Sequence, residues 1–585
     1  MSDHIAARLA TLNPFAKQGS DDDDQGGEIN LDSVGGGGRH NRKTEHAKEQ
    51  LRVSRPLRIF LANEGVISER DASLDTELQS DAVRQLLART SFDAPKALLD
   101  RSQPLPEYYV SSSHNTYLVA HQLYGTSSAS AYETALKTGS RCVEIDAWDN
   151  TADEEEPKVT HGYTLVSHIP FRTVCETIRN VFDEEMALAA GDPTYTVAPI
   201  ILSLENHCGE RGQLRLVDIM KEVFDDRLLS EAVREAGHRE QEGTGEHVSL
   251  QDLGPRIAVI VEYHIPNEAE DSDSTSSSDE EEDEQEKKDR KAYKESKKEK
   301  EEVASVIMPE LAALGVYAQS VKPSDNSWYD PGQLLNGPHH HLINVSESGL
   351  SKHLPANAAA VAVHNSRHLM RVYPKGTRIS SSNLKPVAFW GIGAQICALN
   401  WQTFGTSNQL NDALFSGSEG YVLKPTALRA GGSGVIGTGR NKRLRLHVAG
   451  ATDVPLHEDR EADSIKPYLT CNLYSPCSIE GETNKRKTSP YKHHKIGILH
   501  RGDSNPPATD PIWHETLEWT YEDNELVFLR MLIKSDDAWA RNPMFAVAAV
   551  RLEYVAPGWS FVRMMDMKGG ETKCTVLLRF EIEDV

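Results

Sequence analysis

Between Tyr108 and Tyr263 short apolar runs alternate with amphipathic stretches. Tyr108-Tyr-Val, Arg141–Ala147, Lys158–His161, Pro199–Glu205 and Arg256–Tyr263 have the length and composition of strands. Phe171–Phe182 and Leu214–Phe224 place apolar residues at helical spacing between some of them. Such alternation predicts a parallel α/β sheet or barrel. The pattern stops at 264–302, where Ser276-Ser-Ser-Asp-Glu-Glu-Glu-Asp-Glu gives way to mixed Lys and Glu. That segment holds too little apolar surface to fold alone. Strand-like runs resume at His341–Ser346, His368–Tyr373 and Gln395–Gln402. Five strands before the break and three after it make eight, the count of a TIM-type barrel.

The flanks follow other rules. Residues 1–50 are polar and glycine-rich, and are expected to be a disordered tail. Residues 51–104 carry helical periodicity, as in Asp81-Ala-Val-Arg-Gln-Leu-Leu-Ala, and predict an EF-hand-like helical lobe. No D-x-[DN]-x-[DN]-G calcium loop occurs there. The expected division continues with barrel halves at 105–263 and 303–426, separated by the acidic linker 264–302. A glycine-rich linker at 427–442 then leads to 443–585, where short alternating runs with no long helix predict a β-sandwich.

Charge and cysteine content narrow the setting. The 585 residues carry a net charge of −25, concentrated in Asp21–Asp24 and in 268–286. That excess argues against a nucleic-acid partner. Seven scattered cysteines with no CxxC pair suit a reducing compartment rather than a disulfide framework or a zinc site. No secretory signal or run of ~20 apolar residues is seen, and position 2 is Ser rather than Gly. The expectation is a cytoplasmic protein whose membrane contact is peripheral.

Four clusters fall at the C-terminal ends of predicted strands, where barrel active sites form. They are Ser111-Ser-Ser-His114-Asn115-Thr-Tyr-Leu, Arg141-Cys-Val-Glu144-Ile-Asp146-Ala-Trp148-Asp149, Thr160-His161-Gly162-Tyr163 and Ile200-Ile-Leu-Ser-Leu-Glu205-Asn206-His207-Cys208. Glu144 and Asp146 are two apart on a strand and so share a face. Two carboxylates held together repel unless a cation lies between them. Asn115, Glu144, Asp146 and Glu205 form an all-oxygen set that suits calcium or magnesium. His114 and His161 are then left for proton transfer or charge stabilisation. Taken singly, each has a blander reading as a structural histidine or a solvated acidic face; their joint occurrence in this order does not.

These motifs resemble the X region of eukaryotic phosphoinositide-specific phospholipase C. The stretch from Val361 (VAVHNSRHLMRVYPKG) to Gly420-Tyr-Val-Leu-Lys-Pro425 resembles its Y region, and the sandwich, more weakly, its C2 domain. The resemblance implies calcium as cofactor, held by Asn115, Glu144, Asp146 and Glu205, and catalytic histidines at His114 and His161. Glu144 is the candidate general base for attack of the inositol 2-hydroxyl on phosphorus. Ser346, Arg371 and Tyr373 match head-group residues, and Leu123, Tyr163 and Leu165 match an apolar rim that meets the membrane. Phosphoinositide lipids are the implied partners, and diacylglycerol and inositol phosphate the implied products. No protein activator can be read. An inert lipid-binding scaffold and a glycerophosphodiester phosphodiesterase are the competing classes; the first usually lacks a histidine or carboxylate, and the second needs no Y-like half.

The chain also departs from the family. Arg256-Ile-Ala-Val-Ile260-Val-Glu262 has Ile260 and Glu262 where bisphosphate-cleaving relatives carry two lysines. In the sandwich, Lys466 and Ser535 stand where calcium-binding relatives place aspartates, while Asp537 remains. The resemblance therefore implies weak or no calcium binding by 443–585. The acidic 264–302 segment is expected to oppose approach to anionic lipid.

Overall fold

The structure, a computed structural model, describes residues 50–263 and 306–585, apart from 77, 90–91, 93, 120–125, 161–167, 235–246, 323–327, 331–333, 335–337, 339, 376–381, 458–459, 482, 495–504 and 537–542. The expected disordered tail and acidic linker lie almost wholly outside the described residues, as do His161, Leu123, Tyr163, Leu165 and Asp537. The described residues fall into two compact units, one of 96–408 with 418–436, the other of the preceding helical segment, 409–417 and 437–585. Among them, no helix is long and apolar enough to cross a membrane.

The first unit is a ring of eight parallel strands: β1 (Tyr108–Val110), β2 (Cys142–Trp148), β3 (Ile200–His207), β4 (Ile257–Glu262), β5 (Gln319–Val321), β6 (His341–Ser346), β7 (Leu369–Tyr373) and β8 (Ile396–Cys397). Successive strands pair in parallel from β2 to β8, and β8 pairs with β1 at Val110 and Ile396. A parallel bridge from Ser112 to Cys142 closes the ring between β1 and β2.

Period-two alternation sets what faces inward. Val143 and Ile145 of β2, Leu202 and Leu204 of β3, and Val259 and Val261 of β4 pack outward, in one core with Phe171, Ile178 and Leu216 of the helices Phe171–Gly191 and Glu210–Phe224. Cys142, Ile201, Ala258, Ile260, Leu342, Leu369 and Ile396 fill the barrel itself. The same alternation carries Glu144, Asp146 and Glu205 onto the inner face, one or two steps nearer the C-terminal mouth.

Eight strands were expected, but two of the expected assignments change. Lys158–Val159 is not in the ring: it pairs antiparallel with β2 and with Ile169–Pro170 as a ribbon at the edge. The ring strand in its place is β5, three residues of mixed polarity that show no apolar run. The ring therefore takes four strands from each side of the acidic segment.

The second unit is an antiparallel sandwich of eight strands in the order Lys485–Lys487, Pro467–Tyr474, Phe528–Ser535, Met544–Arg551, Trp559–Met565, Glu571–Asp584, Asn441–Thr452, Ile512–Glu522. Val547 and Met565 form the ladder pair between the two halves of that order. Leu444, Leu446, Leu469, Trp519, Met531 and Val576 lie between them in the core. The helices Arg55–Asn63 and Asp81–Ala88 bury Leu57, Leu61 and Val83 against Trp559, Phe561 and Leu577 of this unit. Arg52, just before them, places its guanidinium 2.7 Å from both Asp453 and Asp510, at the ends of two sandwich strands.

Candidate active site and metal centre

The mouth of the barrel is built by the ends of β1, β2, β3, β6 and β7. Glu144, Asp146 and Glu205 offer carboxylate oxygens that lie within 4.8 Å of one another. Parallel pairing sets Asp146 beside Glu205 and Glu144 beside Ser203, so strand register alone brings the acids together. Asn115 follows β1 with φ of 45°, a left-handed conformation that asparagine tolerates. The turn aims its N–H at Glu144 Oε2, at 2.6 Å.

The two inner carboxylates are tightly held. Glu144 Oε1 accepts from Arg371 Nη2 at 2.6 Å, and both side chains are almost wholly buried. Tyr117 Oη lies 2.6 Å from Asp146 Oδ2 and 3.2 Å from Asn115 Oδ1, so its single proton goes to the carboxylate. Asp146 Oδ1 is buried and has no hydrogen-bond partner among the described residues. Burial, then the charges of Glu205 and Glu144, push the Asp146 carboxyl well above its ordinary range. Glu205 is different. Desolvation pushes it up, but the hydrogen bond and charge of His207, with Arg371 and Lys322, outweigh that and hold it below the usual range. An orphaned carboxylate oxygen, crowded by two like charges in an all-oxygen pocket, fits a hard divalent cation.

His114 stands beside this cluster. Its Nδ1 is 2.8 Å from Asn400 Oδ1, and its Nε2 is 3.9 Å from Glu144 Oε2. The Asn400 amide is oriented by Nδ2 donating to the Ser382 carbonyl at 3.0 Å. An oxygen facing Nδ1 requires a proton there and leaves Nε2 directed to the acid cluster. Sequence reading gave Asn400 no role; it lies 286 residues from His114, in a stretch read only as a strand.

The head-group candidates occupy adjacent strands. Asn344 pairs with Arg371, and Ser346 with Tyr373. Arg371 is not at the surface: it bonds Glu144 and, at 3.1 Å, Asn344, and its guanidinium lies 5.6 Å from the Tyr373 ring centre. Ser346 Oγ caps the helix Glu347–Ser351 by accepting from Gly349 N. The structure thus brings His114, Asn115, Glu144, Asp146, Glu205, Arg371, Ser346 and Tyr373 to one end of one ring.

Fold and site define a split parallel barrel with an acid-lined mouth, together with an antiparallel β-sandwich. Residues 101–263 match the X domain of phosphatidylinositol-specific phospholipase C, and 311–427 match its Y domain. The chain belongs to that family. It is 32% identical over 497 residues to the mouse 1-phosphatidylinositol 4,5-bisphosphate phosphodiesterase delta-3, covering 83% of this chain and 58% of that one. It is 30% identical over 493 residues to the Dictyostelium discoideum 1-phosphatidylinositol 4,5-bisphosphate phosphodiesterase, covering 80% and 57%. The chain thus spans under two thirds of the length of these relatives. The crystal structure of L. pealei PLC21 shares the fold, with a TM-score of 0.66 at 22% identity over 94% of this chain and 65% of that one.

Proposed function

We propose that this chain is a calcium-dependent phosphoinositide phospholipase C that works at a membrane surface. The observation that carries the reading is the convergence of Asn115, Glu144, Asp146 and Glu205 with His114 at the mouth of one parallel ring. Those four residues would hold the calcium ion. When bound, it supplies positive charge that lowers the pKa of the attacking hydroxyl and offsets charge developing at phosphorus.

The chain's own groups do the rest. Glu144 takes the proton of the inositol 2-hydroxyl, whose oxygen attacks phosphorus in line to form a cyclic inositol phosphate. His114 presents Nε2 on the side of Glu144 and, when protonated, stabilises the charged phosphorane. His161 protonates the departing diacylglycerol oxygen, and then takes a proton from the water that opens the cycle, while Glu144 returns its proton to the leaving 2-oxygen. Arg371 neutralises Glu144 in the free enzyme and is the cation at hand for a phosphate on the head group. Ser346 and Tyr373 flank it. Leu123, Tyr163 and Leu165 form the membrane-facing rim in this proposal.

Vesicles of labelled phosphatidylinositol, incubated with the protein and calcium, test the reading. Diacylglycerol with inositol phosphate, lost on chelation, is the expected result. Absence of turnover at every calcium concentration overturns it, and release of glycerol phosphate points to the other phosphodiesterase class.

A further inference from the structure

Glu205 is the exception among the three clustered carboxylates. Its side chain is 47% exposed, whereas that of Glu144 is 4% exposed. Glu144 is pinned by a guanidinium and a backbone N–H, and Asp146 by the Tyr117 hydroxyl. Glu205 sits at the rim of the mouth next to two acids of its own sign. Left alone, a flexible glutamate there would swing into water, which relieves the repulsion and restores its rotamer freedom.

A neighbouring imidazole opposes that swing. His207 lies two residues on along β3, on the same face, with Nε2 3.2 Å from Glu205 Oε1. Its ring is itself fixed: it stacks on the Trp148 indole at 4.0 Å between centres, with the planes 16° apart. Trp148 is the residue directly beside His207 in the β2–β3 register, as Asp146 is beside Glu205. The tryptophan thus holds the imidazole flat against the barrel wall, with Nε2 in ion-pair range of the carboxylate.

We infer that His207, clamped by Trp148, is a positioning residue that keeps Glu205 turned into the acid cluster and so sets the affinity of the barrel for its divalent cation. The inference rests on the calcium reading above. Hydrogen-bonded partners of ligating carboxylates typically contribute 10- to 100-fold to metal affinity.

The test is calcium binding to the full chain by calorimetry, without substrate. The barrel isotherm is identified as the one abolished by Asp146→Asn. His207→Phe keeps an aromatic ring on Trp148 but loses the N–H, and is expected to weaken that isotherm by about 10- to 100-fold. His207→Gln restores an N–H donor at similar reach and is expected to recover at least part of the loss. A merely structural histidine predicts the reverse order, with Phe tolerated and Gln not. Circular dichroism and the thermal midpoint monitor folding in each case. Unchanged calcium affinity in both His207 variants overturns the positioning role while leaving the metal site standing. No barrel isotherm in the unmodified protein overturns the metal site itself, and this inference with it.

Discussion

At the scale of single residues, the mouth of the barrel holds more acid than base. Ile260 and Glu262 of β4 continue the inward alternation that begins with Ala258, in the core shared with Leu342 and Leu369. Glu262 therefore heads for the mouth, beside Ser320 of β5 in register. A carboxylate ~4 Å from a ring phosphate would cost on the order of several kcal/mol at an intermediate dielectric. We expect phosphatidylinositol or its monophosphate to be cleaved faster than the 4,5-bisphosphate at equal surface density. Glu262→Lys should raise the bisphosphate rate; a bisphosphate preference unmoved by this change would show that Glu262 does not meet the head group. Two further substitutions address proton transfer. His114→Ala should lower turnover by at least ~10²-fold. Asn400→Leu should lower kcat with little change in KM, because it frees the imidazole to adopt the wrong tautomer. Sequence made the four clusters legible because each is a contiguous string at a strand end. Asn400 and Tyr117 were given no role because a supporting hydrogen bond leaves no spacing signature. His207 was within a quoted string, but its stack on Trp148 depends on a register that only the folded sheet supplies.

At the scale of elements, the N-terminal end of the ring carries a group of buried histidines. His341, which opens β6, stacks on His368, just before β7, at 3.8 Å, and its Nε2 is 2.9 Å from His364 Nε2. His340 and His247 meet edge to face at 4.7 Å beside Tyr317. Burial pushes His341 down to about 3 and His364 to about 4, and carries His247 and His368 well below the ordinary value. Each is neutral when folded and protonates near pH 6.5 when unfolded. Unfolding thus takes up protons below that pH, and stability falls as pH falls, by up to about 1.4 kcal/mol per pH unit for each group. Urea midpoints of the full chain at pH 7.5 and 5.0 should differ steeply, and His341→Leu with His368→Leu should flatten the difference. The sandwich invites a separate expectation. Its loop ends are tied by Ser535 Oγ accepting from Lys466 N at 2.9 Å and by Asp536 N donating to the Lys466 carbonyl. Asp453 and Asp510 already hold the Arg52 guanidinium. With a lysine and an internal cation there, the calcium isotherm of Asp146→Asn protein should show no residual micromolar site. The elements themselves were unevenly legible. β2, β3 and β4 announce themselves as apolar runs, whereas Gln319–Val321 is too short and polar. Lys158–Val159 imitates a ring strand because an edge ribbon has the same composition.

At the scale of the whole molecule, β4 and β5 pair directly through Val261 with Gln319 and Glu262 with Ser320, although 264–302 lies between them in the chain. The acidic segment leaves from the C-terminal end of β4, which is the mouth. Its charge there should hinder docking on anionic lipid. Deleting 268–302 should raise hydrolysis of vesicles more than hydrolysis of a soluble head-group substrate; equal gains, or none, would make it a passive spacer. The pairing of Glu144 with Arg371 across the ring has a consequence in time rather than in space. During synthesis the acid trio is complete once Glu205 emerges, but the guanidinium that neutralises it follows 166 positions later, at Arg371. At ~5–20 residues per second, the nascent first half would spend roughly 10–30 s as an open, negatively charged half-ring. Ring closure cannot precede β8, whose Ile396 seals against Val110. Until then, the half-made mouth lacks that guanidinium, and a divalent cation would offset the missing charge.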